Sequence, residues 1–421
     1  MSKNLVKVSV LGLGYVGLPL AIALSRKFNV TGFDINNARI KNLTAGLDQT
    51  LEVSTSILKK SKNLSFSADT LDLKGSSFYF VTVPTPIDSK NLPDLSALES
   101  ACKIIGNNLE AGQIVVFEST VYPGCTREIC VPLLEKYSGM QFNKDFFCGY
   151  SPERINPGDS IHSITKIPKV VSGSNKASLT KIYKLYNSII DAEVHKAESL
   201  EIAEAAKIIE NTQRDINIAL INEFSVILKK MNIPSRKVMN AAATKWNFHK
   251  FSPGFVGGHC IGVDPYYLTY KAQTLGINPE VILAGRSLND KMPSIVAKHF
   301  LSMLPAKTQK LKIVILGATF KENCPDIRNS KIKDLIASFN SEHITPYLFD
   351  PYLVTKPNFL VDFHFLKTLK SSNRKYDGVF VAVNHSFFKK QGIATIKNLL
   401  KKDGIFFDFK STFGSKESES W

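Results

Sequence analysis

The six residues "GLGYVG", Gly12–Gly17, constrain this chain more than any other stretch. They follow an apolar run, Val6–Leu11, and open a second, Val16–Phe28, long enough for a helix; a further strand-like run, Asn29–Phe33, comes next. At GxGxxG spacing, Gly12 permits the tight turn, Gly14 lets a pyrophosphate approach the backbone, and Gly17 lets helix and strand pack closely. Asp34 ends the next strand about 20 residues after the middle glycine, where a carboxylate suits a ribose 2′-hydroxyl and repels a 2′-phosphate. The pattern predicts a βαβ unit that binds NAD rather than NADP, with Tyr15 and Val16 in the same turn. Arg39 reads either as lying along the adenosine or as an ordinary solvated arginine. Glycines alone would also serve a packing turn without a cofactor.

Further apolar runs, "SSFYFVTVPTP" (Ser76–Pro86) and "GQIVVFESTVYPG" (Gly112–Gly124), end in turn residues and alternate with helical stretches, as parallel strands do. The carboxyl edge of a parallel sheet faces its ligand crevice, so Thr85 and Thr120 become candidates for the nicotinamide half; Thr-Pro and Pro-Gly also make turns for their own sake. From Ala197 to Ile233 there is neither Gly nor Pro, and the apolar positions keep helical spacing up to Pro234: one long helix, of the kind that bridges two lobes or forms a dimer face. Shorter helices are expected to about Phe300. At "LKIVILGATFKENCPDIRNS" (Leu311–Ser330) a strand again runs into a glycine, and "EHITPYLFDPY", "YDGVFVAVNH" and "GIFFDF" supply more strands. The expected architecture is α/β: two Rossmann-like doubly wound domains joined by a long central helix and a helical middle domain. The expected regions are 1–196 for NAD, 197–305 for the helical, dimerising middle, and 306–421 for the second α/β domain. The polar end "GSKESESW" is expected to fray.

A formal charge of +16 suits nucleic acid, an anionic membrane or small phosphorylated ligands. Lys and Arg come in scattered pairs such as Lys59-Lys60 and Lys401-Lys402, without a basic arm, which argues against nucleic acid. The apolar stretch Val8–Leu24 behind Lys3 and Lys7 mimics a signal peptide, but its three glycines argue otherwise, and no run of apolar residues elsewhere is long enough to span a membrane; a cytoplasmic protein is expected. Six cysteines, at 102, 125, 130, 148, 260 and 324, include no CxxC pair, which is reduced-compartment usage and offers no zinc spacing.

In "GFVGGHCIGVDPYYL", Gly254–Leu268, Cys260 reads as nucleophile, metal ligand or packed thiol. Adjacent His259 and Cys260 side chains diverge, which disfavours a metal. Gly257 and Gly258 would let a substrate approach the backbone, and Asp264 would hold a water or side chain beside the thiol. Beside an NAD site, a cysteine can capture an aldehyde as a thiohemiacetal that loses hydride to become a thioester. On the long helix, Lys207, Asn211 and Arg214 share a face at i, i+4 and i+7, suited to an anion or, more commonly, to solvent.

Together, "GLGYVG", "VPTP", "ESTVYPG", "SPERINPG", "EAAKIIENTQRDINIALINEF", "GGHCIGVDP" and "FKENCPDIRNS" resemble, nearly end to end, the nucleotide-sugar 6-dehydrogenases of the UDP-glucose/GDP-mannose dehydrogenase family. The resemblance implies oxidation of the C6 alcohol of a UDP-sugar to a uronic acid in two NAD-dependent steps. It implies Cys260 as nucleophile, Lys207 as oxyanion stabiliser or proton shuttle, and Asn211 and Asp264 as the groups that position Lys207 and water. Glu153 matches the glutamate of thioester hydrolysis, with Thr120 helping to place the water; Arg154, Arg214, Gly257 and Lys321 match UDP-sugar positions, and Arg328 an arginine reaching the cofactor. The segments "KWNFHKFSPGFVGGHCIGVDPYYLTYKAQ" and "ILAGRSLND" look most similar to enzymes of UDP-N-acetylglucosamine or UDP-N-acetylgalactosamine that feed bacterial capsule or O-antigen synthesis. UDP-N-acetylmannosamine and UDP-glucose remain alternatives, and His259 in place of a serine speaks against plain UDP-glucose. A homodimer is implied. The basic charge would speed capture of two pyrophosphates. Competing classes are a catalytically silent NAD-binding regulator and a β-hydroxyacid dehydrogenase, which would not need Cys260.

Overall fold

The computed structural model describes residues 6–155, 163–305, 311–369, 376–411, 413, 414 and 421. The chain divides into two compact units, one of residues 1–211 with 266–278, the other of 212–265 with 279–421. The first is built on the fingerprint: β1 (Lys7–Leu11), the helix Gly17–Ser25 and β2 (Asn29–Phe33). The helix stops three residues before the expected Phe28. Its Leu18, Leu20, Ala21, Ala23 and Leu24 are all buried, so it is apolar all round, the mark of a helix enclosed on every side. β3 (Leu64–Ser67), β4 (Phe78–Val81), β5 (Ile114–Phe117), β6 (Phe147–Tyr150), β7 (Lys169–Gly173) and β8 (Val194–Lys196) complete an eight-stranded sheet in the order β3-β2-β1-β4-β5-β6-β7-β8. Every pairing is parallel except β6 with β7. Helices on both faces bury the strands twice over, which is why β5 reads as four consecutive buried apolar residues instead of alternating.

The helix Leu200–Lys230 runs without a break for 31 residues, roughly 45 Å at the α-helical rise. It ends as its sequence requires: Asn232 takes a left-handed φ of 57°, the Ile233 N–H closes back on the Leu228 carbonyl, and Pro234 cannot continue the helix.

The second unit carries β9 (Ile313–Leu316), β10 (Tyr347–Phe349), β11 (His364–Phe365), β12 (Tyr376–Val381) and β13 (Leu400–Asp408), an all-parallel sheet in the order β11-β10-β9-β12-β13. The α/β class with two Rossmann-like sheets is therefore as expected. The expected short helices include one of 24 residues, Glu280–Met303, that passes through Pro293. Its apolar side packs Phe300 edge-on to Phe339 and Phe380, and burial of Met292, Val296 and Phe300 contributes about 1.5–3 kcal/mol per side chain. Start points near Lys310 and the stretch 415–420 of the polar tail lie outside the described residues. Trp421 is not frayed: it is buried against His299, at 5.4 Å between ring centres, because an indole gains more from the core than from water. Among the described residues no helix is long and apolar enough to cross a membrane.

Candidate active site

In the first unit the fingerprint turn is held from the sheet. Gly12 has φ +90°, and the Thr82 hydroxyl reaches the Leu11 and Gly12 carbonyls at 2.9 and 2.7 Å. Asp34 accepts the Leu13 N–H at 2.9 Å, so its carboxylate stands beside the glycine turn at the carboxyl edge of β2. A Cβ built at Gly14 meets nothing within 4 Å, and Tyr15 and Val16 are half-buried beside it. The turn thus has an open face with backbone amides and a carboxylate at its edge, and these residues fit a dinucleotide. Arg39 is buried: it donates to the Leu13 carbonyl at 2.9 Å and to Asp48 at 2.8 Å, while its Nη2 has no hydrogen-bond partner. It is therefore not a solvated arginine, and its Nε ties the helix Asn37–Thr44 to the turn. Thr85 and Thr120 are half-buried, just past β4 and β5.

Glu153 follows β6 and is buried. Its Oε1 accepts the Arg154 and Ile155 N–H groups, both at 2.7 Å, and its Oε2 accepts Lys169 Nζ at 2.7 Å. Burial opposes its ionisation, but the Lys169 charge and the Ile155 amide outweigh it and hold the carboxyl below its usual range. Lys207, also buried, donates to the Glu153 carbonyl at 2.7 Å, so one residue meets both lysines, through different atoms. Arg154 pairs with Glu210 and donates to the Pro168 carbonyl at 3.2 Å. Asn156, Pro157 and Gly158 of "SPERINPG" lie outside the described residues. Asn211 is half-buried on the same helix as Lys207.

In the second unit Cys260 is half-buried on a tight turn whose carbonyl accepts the Val263 and Asp264 N–H groups at 2.9 and 2.8 Å. Asp264, 1% exposed, is the first residue of the helix Asp264–Thr274. Cys260 therefore sits at the positive end of a helix, where developing negative charge is favoured. The two glycines before it have a packing reason. A Cβ on Gly257 would come within 2.6 Å of the Asn329 carbonyl oxygen; Gly258 has φ +84° and lies against the Phe320 ring. Further upstream, Asn222 of the long helix clasps Gly254 by both backbone groups, at 2.8 and 3.0 Å, and is braced by Asn289, which in turn bonds Asp215. The cysteine loop is thereby tied to buried helix residues.

Arg214 is exposed and Lys321 half-buried. Arg328 closes on Asp326 within its own loop, and Asp326 also faces His259 Nε2 at 3.0 Å. Burial would raise the Asp326 carboxyl, yet these hydrogen bonds hold it well below the usual range. Sequence reading missed Glu118, Lys169, Tyr186, Glu204 and Asp326. A signal existed for two of them: Glu118 and Lys169 are charges set in otherwise apolar runs, "VVFEST" and "PKVVS", which a buried partner alone makes tolerable. Glu204, whose burial pushes its carboxyl up to about 7, accepts the Gly124 and Thr126 amides and so fixes the loop after Thr120.

Three domain descriptions of one family match the chain: the UDP-glucose/GDP-mannose dehydrogenase family NAD-binding domain over residues 6–190, its central domain over 201–291 and its UDP-binding domain over 314–415. The chain is similar to the UDP-N-acetyl-D-glucosamine 6-dehydrogenase of Pseudomonas aeruginosa, at 49% identity over 98% of each chain. The enzyme of the same description from Salmonella typhi is 46% identical over 98% of each. Among solved structures, a UDP-D-ManNAc dehydrogenase from Pyrococcus horikoshii superposes with a TM-score of 0.85 at 29% identity, covering 96% of this chain and 94% of that one.

Proposed function

From the premise that this chain belongs to the UDP-glucose/GDP-mannose dehydrogenase family and is an NAD-dependent UDP-sugar dehydrogenase, we propose that it oxidises the C6 hydroxyl of a UDP-N-acetylhexosamine, UDP-GlcNAc or UDP-GalNAc, to the uronic acid through Cys260. The observation that carries the reading is that Cys260 is the one cysteine of six that is not buried, on a loop anchored by buried polar groups at a helix N-terminus. The similarity to UDP-N-acetyl-D-glucosamine 6-dehydrogenases supports the sugar.

NAD, when bound, takes up a hydride in each of the two oxidations. Gly12, Gly14, Tyr15, Val16, Gly17 and Asp34 would hold it, with Arg39, Thr85, Thr120 and Arg328. In the chain's own chemistry, Lys207, positioned with Asn211 and Asp264, balances charge on O6 as the alcohol gives up its proton. Cys260 Sγ then adds to the aldehyde carbon to form a thiohemiacetal, whose oxidation leaves a thioester. Water, placed by Glu153 and Thr120, displaces the thiol and releases the acid. Arg154, Arg214, Gly257 and Lys321 serve the UDP-sugar; Arg154 and Arg328 would exchange their present carboxylate partners for ligand phosphate. The reaction would be cytoplasmic and would supply bacterial surface polysaccharide synthesis.

The test is absorbance at the NADH band with NAD and a panel of UDP-sugars, with mass analysis of the product. UDP-GlcNAc or UDP-GalNAc is expected to yield acid at two NADH per sugar. Preference for UDP-glucose or UDP-ManNAc would overturn the sugar assignment, and silence with the whole panel the enzymatic one. We read the exposed Leu220, Phe224 and Ile227 of the long helix, with Met231 just past its end, 39–58% exposed, as a homodimer face. Sedimentation should give twice the 46.7 kDa chain mass, and Ile227→Glu should halve it; a wild-type monomer would dismiss that face.

A further inference from the structure

We propose that Lys169, the buried cation between Glu153 and Glu118, is a positioning residue for thioester hydrolysis, fixing Glu153 ionised and in place while taking no part in the hydride steps. This rests on the reading of Glu153 as the group that orients the hydrolytic water. Lys169 on β7 is 3% exposed and its Nζ bridges two carboxylates, Glu153 at 2.7 Å and Glu118 at 2.9 Å. Glu118, just past β5, is held on its other oxygen by the Tyr186 hydroxyl, and Lys169 lies 5.5 Å from the centre of the Tyr186 ring. A buried cation shared by two buried carboxylates is expensive to maintain and contributes little net stability on its own, so a site role accounts for it better than a fold role.

The arrangement also makes the two carboxylates unequal. Burial, with the nearby Glu153 charge, pushes Glu118 up to about 7 against the pull of Lys169, whereas Glu153 stays below its usual range. Below neutral pH, where Glu118 takes up its proton first, Lys169 therefore serves Glu153 chiefly. Among the described residues, the charged and titratable groups around Glu153 are Lys169 from β7, Glu118 past β5, Lys207 from the long helix, the Arg154–Glu210 pair and, behind Glu118, Tyr186. Lys207 touches only the main-chain carbonyl, so Lys169 is the cation that acts on the carboxylate itself.

The experiment is transient kinetics of NADH formation with the UDP-sugar that the wild-type chain turns over. In Lys169→Met both hydride transfers should persist and hydrolysis should fail. The trace should show a burst of two NADH per site, then a steady rate lower by roughly 10²-fold, the usual worth of a positioned base. Without the cation, Glu153 protonates more readily, so the acid limb of the steady rate should rise by about 1–3 pH units. Glu118→Gln leaves Lys169 on Glu153 and should stay burst-free, which separates loss of the Lys169 cation from general damage to the buried cluster. If Lys169→Met does not fold, Glu118→Gln with Lys169→Met removes both members of the pair, leaves no Glu118 charge unpaired, and should show the same burst. Loss of the burst together with turnover, or a linear trace with an unmoved acid limb, overturns the proposal. A wild-type chain that forms no NADH from any UDP-sugar overturns the functional reading itself, and this inference with it.

Discussion

Cys260→Ala is expected to abolish acid formation, lowering the rate by roughly 10³-fold or more, because no other thiol can take its place. The remaining five cysteines are buried. Hydrogen bonding to Cys102 and Cys125, with burial, pushes the Cys130 thiol up, and burial does the same to Cys148, so both stay protonated and unreactive at neutral pH. Cys260 differs in exposure and in standing at the positive end of the Asp264–Thr274 helix. Removing its sulfur removes the attachment point of the aldehyde, so at most the first oxidation survives. The ratio of NADH to sugar consumed should then fall from two towards one, with aldehyde released, while Cys102→Ala and Cys148→Ala keep both the ratio and the product. Full two-step stoichiometry in Cys260→Ala would sink the covalent route, whereas one NADH per substrate from the wild-type chain, unaffected by a thiol-alkylating reagent, would favour a hydroxyacid-type dehydrogenase, which needs no thiol. Stopped-flow absorbance with trapping of the aldehyde reads both quantities in one experiment.

The parts of this molecule that were legible in sequence are those whose causes are local. The β1–turn–helix–β2 unit could be read because glycine geometry, apolar period and one carboxylate all fall within about 30 residues. The long helix could be read because neither Gly nor Pro interrupts it. What stayed hidden is set by partners distant in the chain. β3 and β8 are short edge strands with exposed or polar positions, so no apolar run marks them. The Glu118–Lys169 pair joins residues 51 apart, and the His259–Asp326 contact residues 67 apart, distances over which no periodicity carries information. Gly257 and Gly258 show the subtler limit. Their presence suggested room for substrate, yet the structure gives them a reason in the chain itself, the close approach of Asn329 and Phe320. Spacing says that a position must be glycine; the atom that would collide with a side chain is known only from the fold.

The fingerprint turn allows that distinction to be tested at two glycines three residues apart. A Cβ at Gly17 would stand 1.8 Å from the Gly12 carbonyl oxygen and 2.4 Å from the Thr82 hydroxyl. The first of these is backbone, and the second is already committed to the Leu11 and Gly12 carbonyls, so neither can move without pulling β1 from β4. Gly17→Ala should therefore cost at least about 3 kcal/mol, a large share of what a domain has in reserve, and lose NAD binding through loss of the turn. Gly14→Ala meets no atom within 4 Å, and Gly14 is not in the left-handed region, so folding should be unaffected or slightly improved. The added methyl stands instead where a pyrophosphate would approach, and NAD affinity should fall by about tenfold or more. Thermal unfolding and NAD titration on both variants separate the roles: the first should lower the melting temperature, the second the affinity alone. Should Gly14→Ala bind NAD as wild type does, the turn is a packing device and the cofactor lies elsewhere; should Gly17→Ala melt as wild type does, the helix has freedom to shift that the Gly12 and Thr82 contacts deny it.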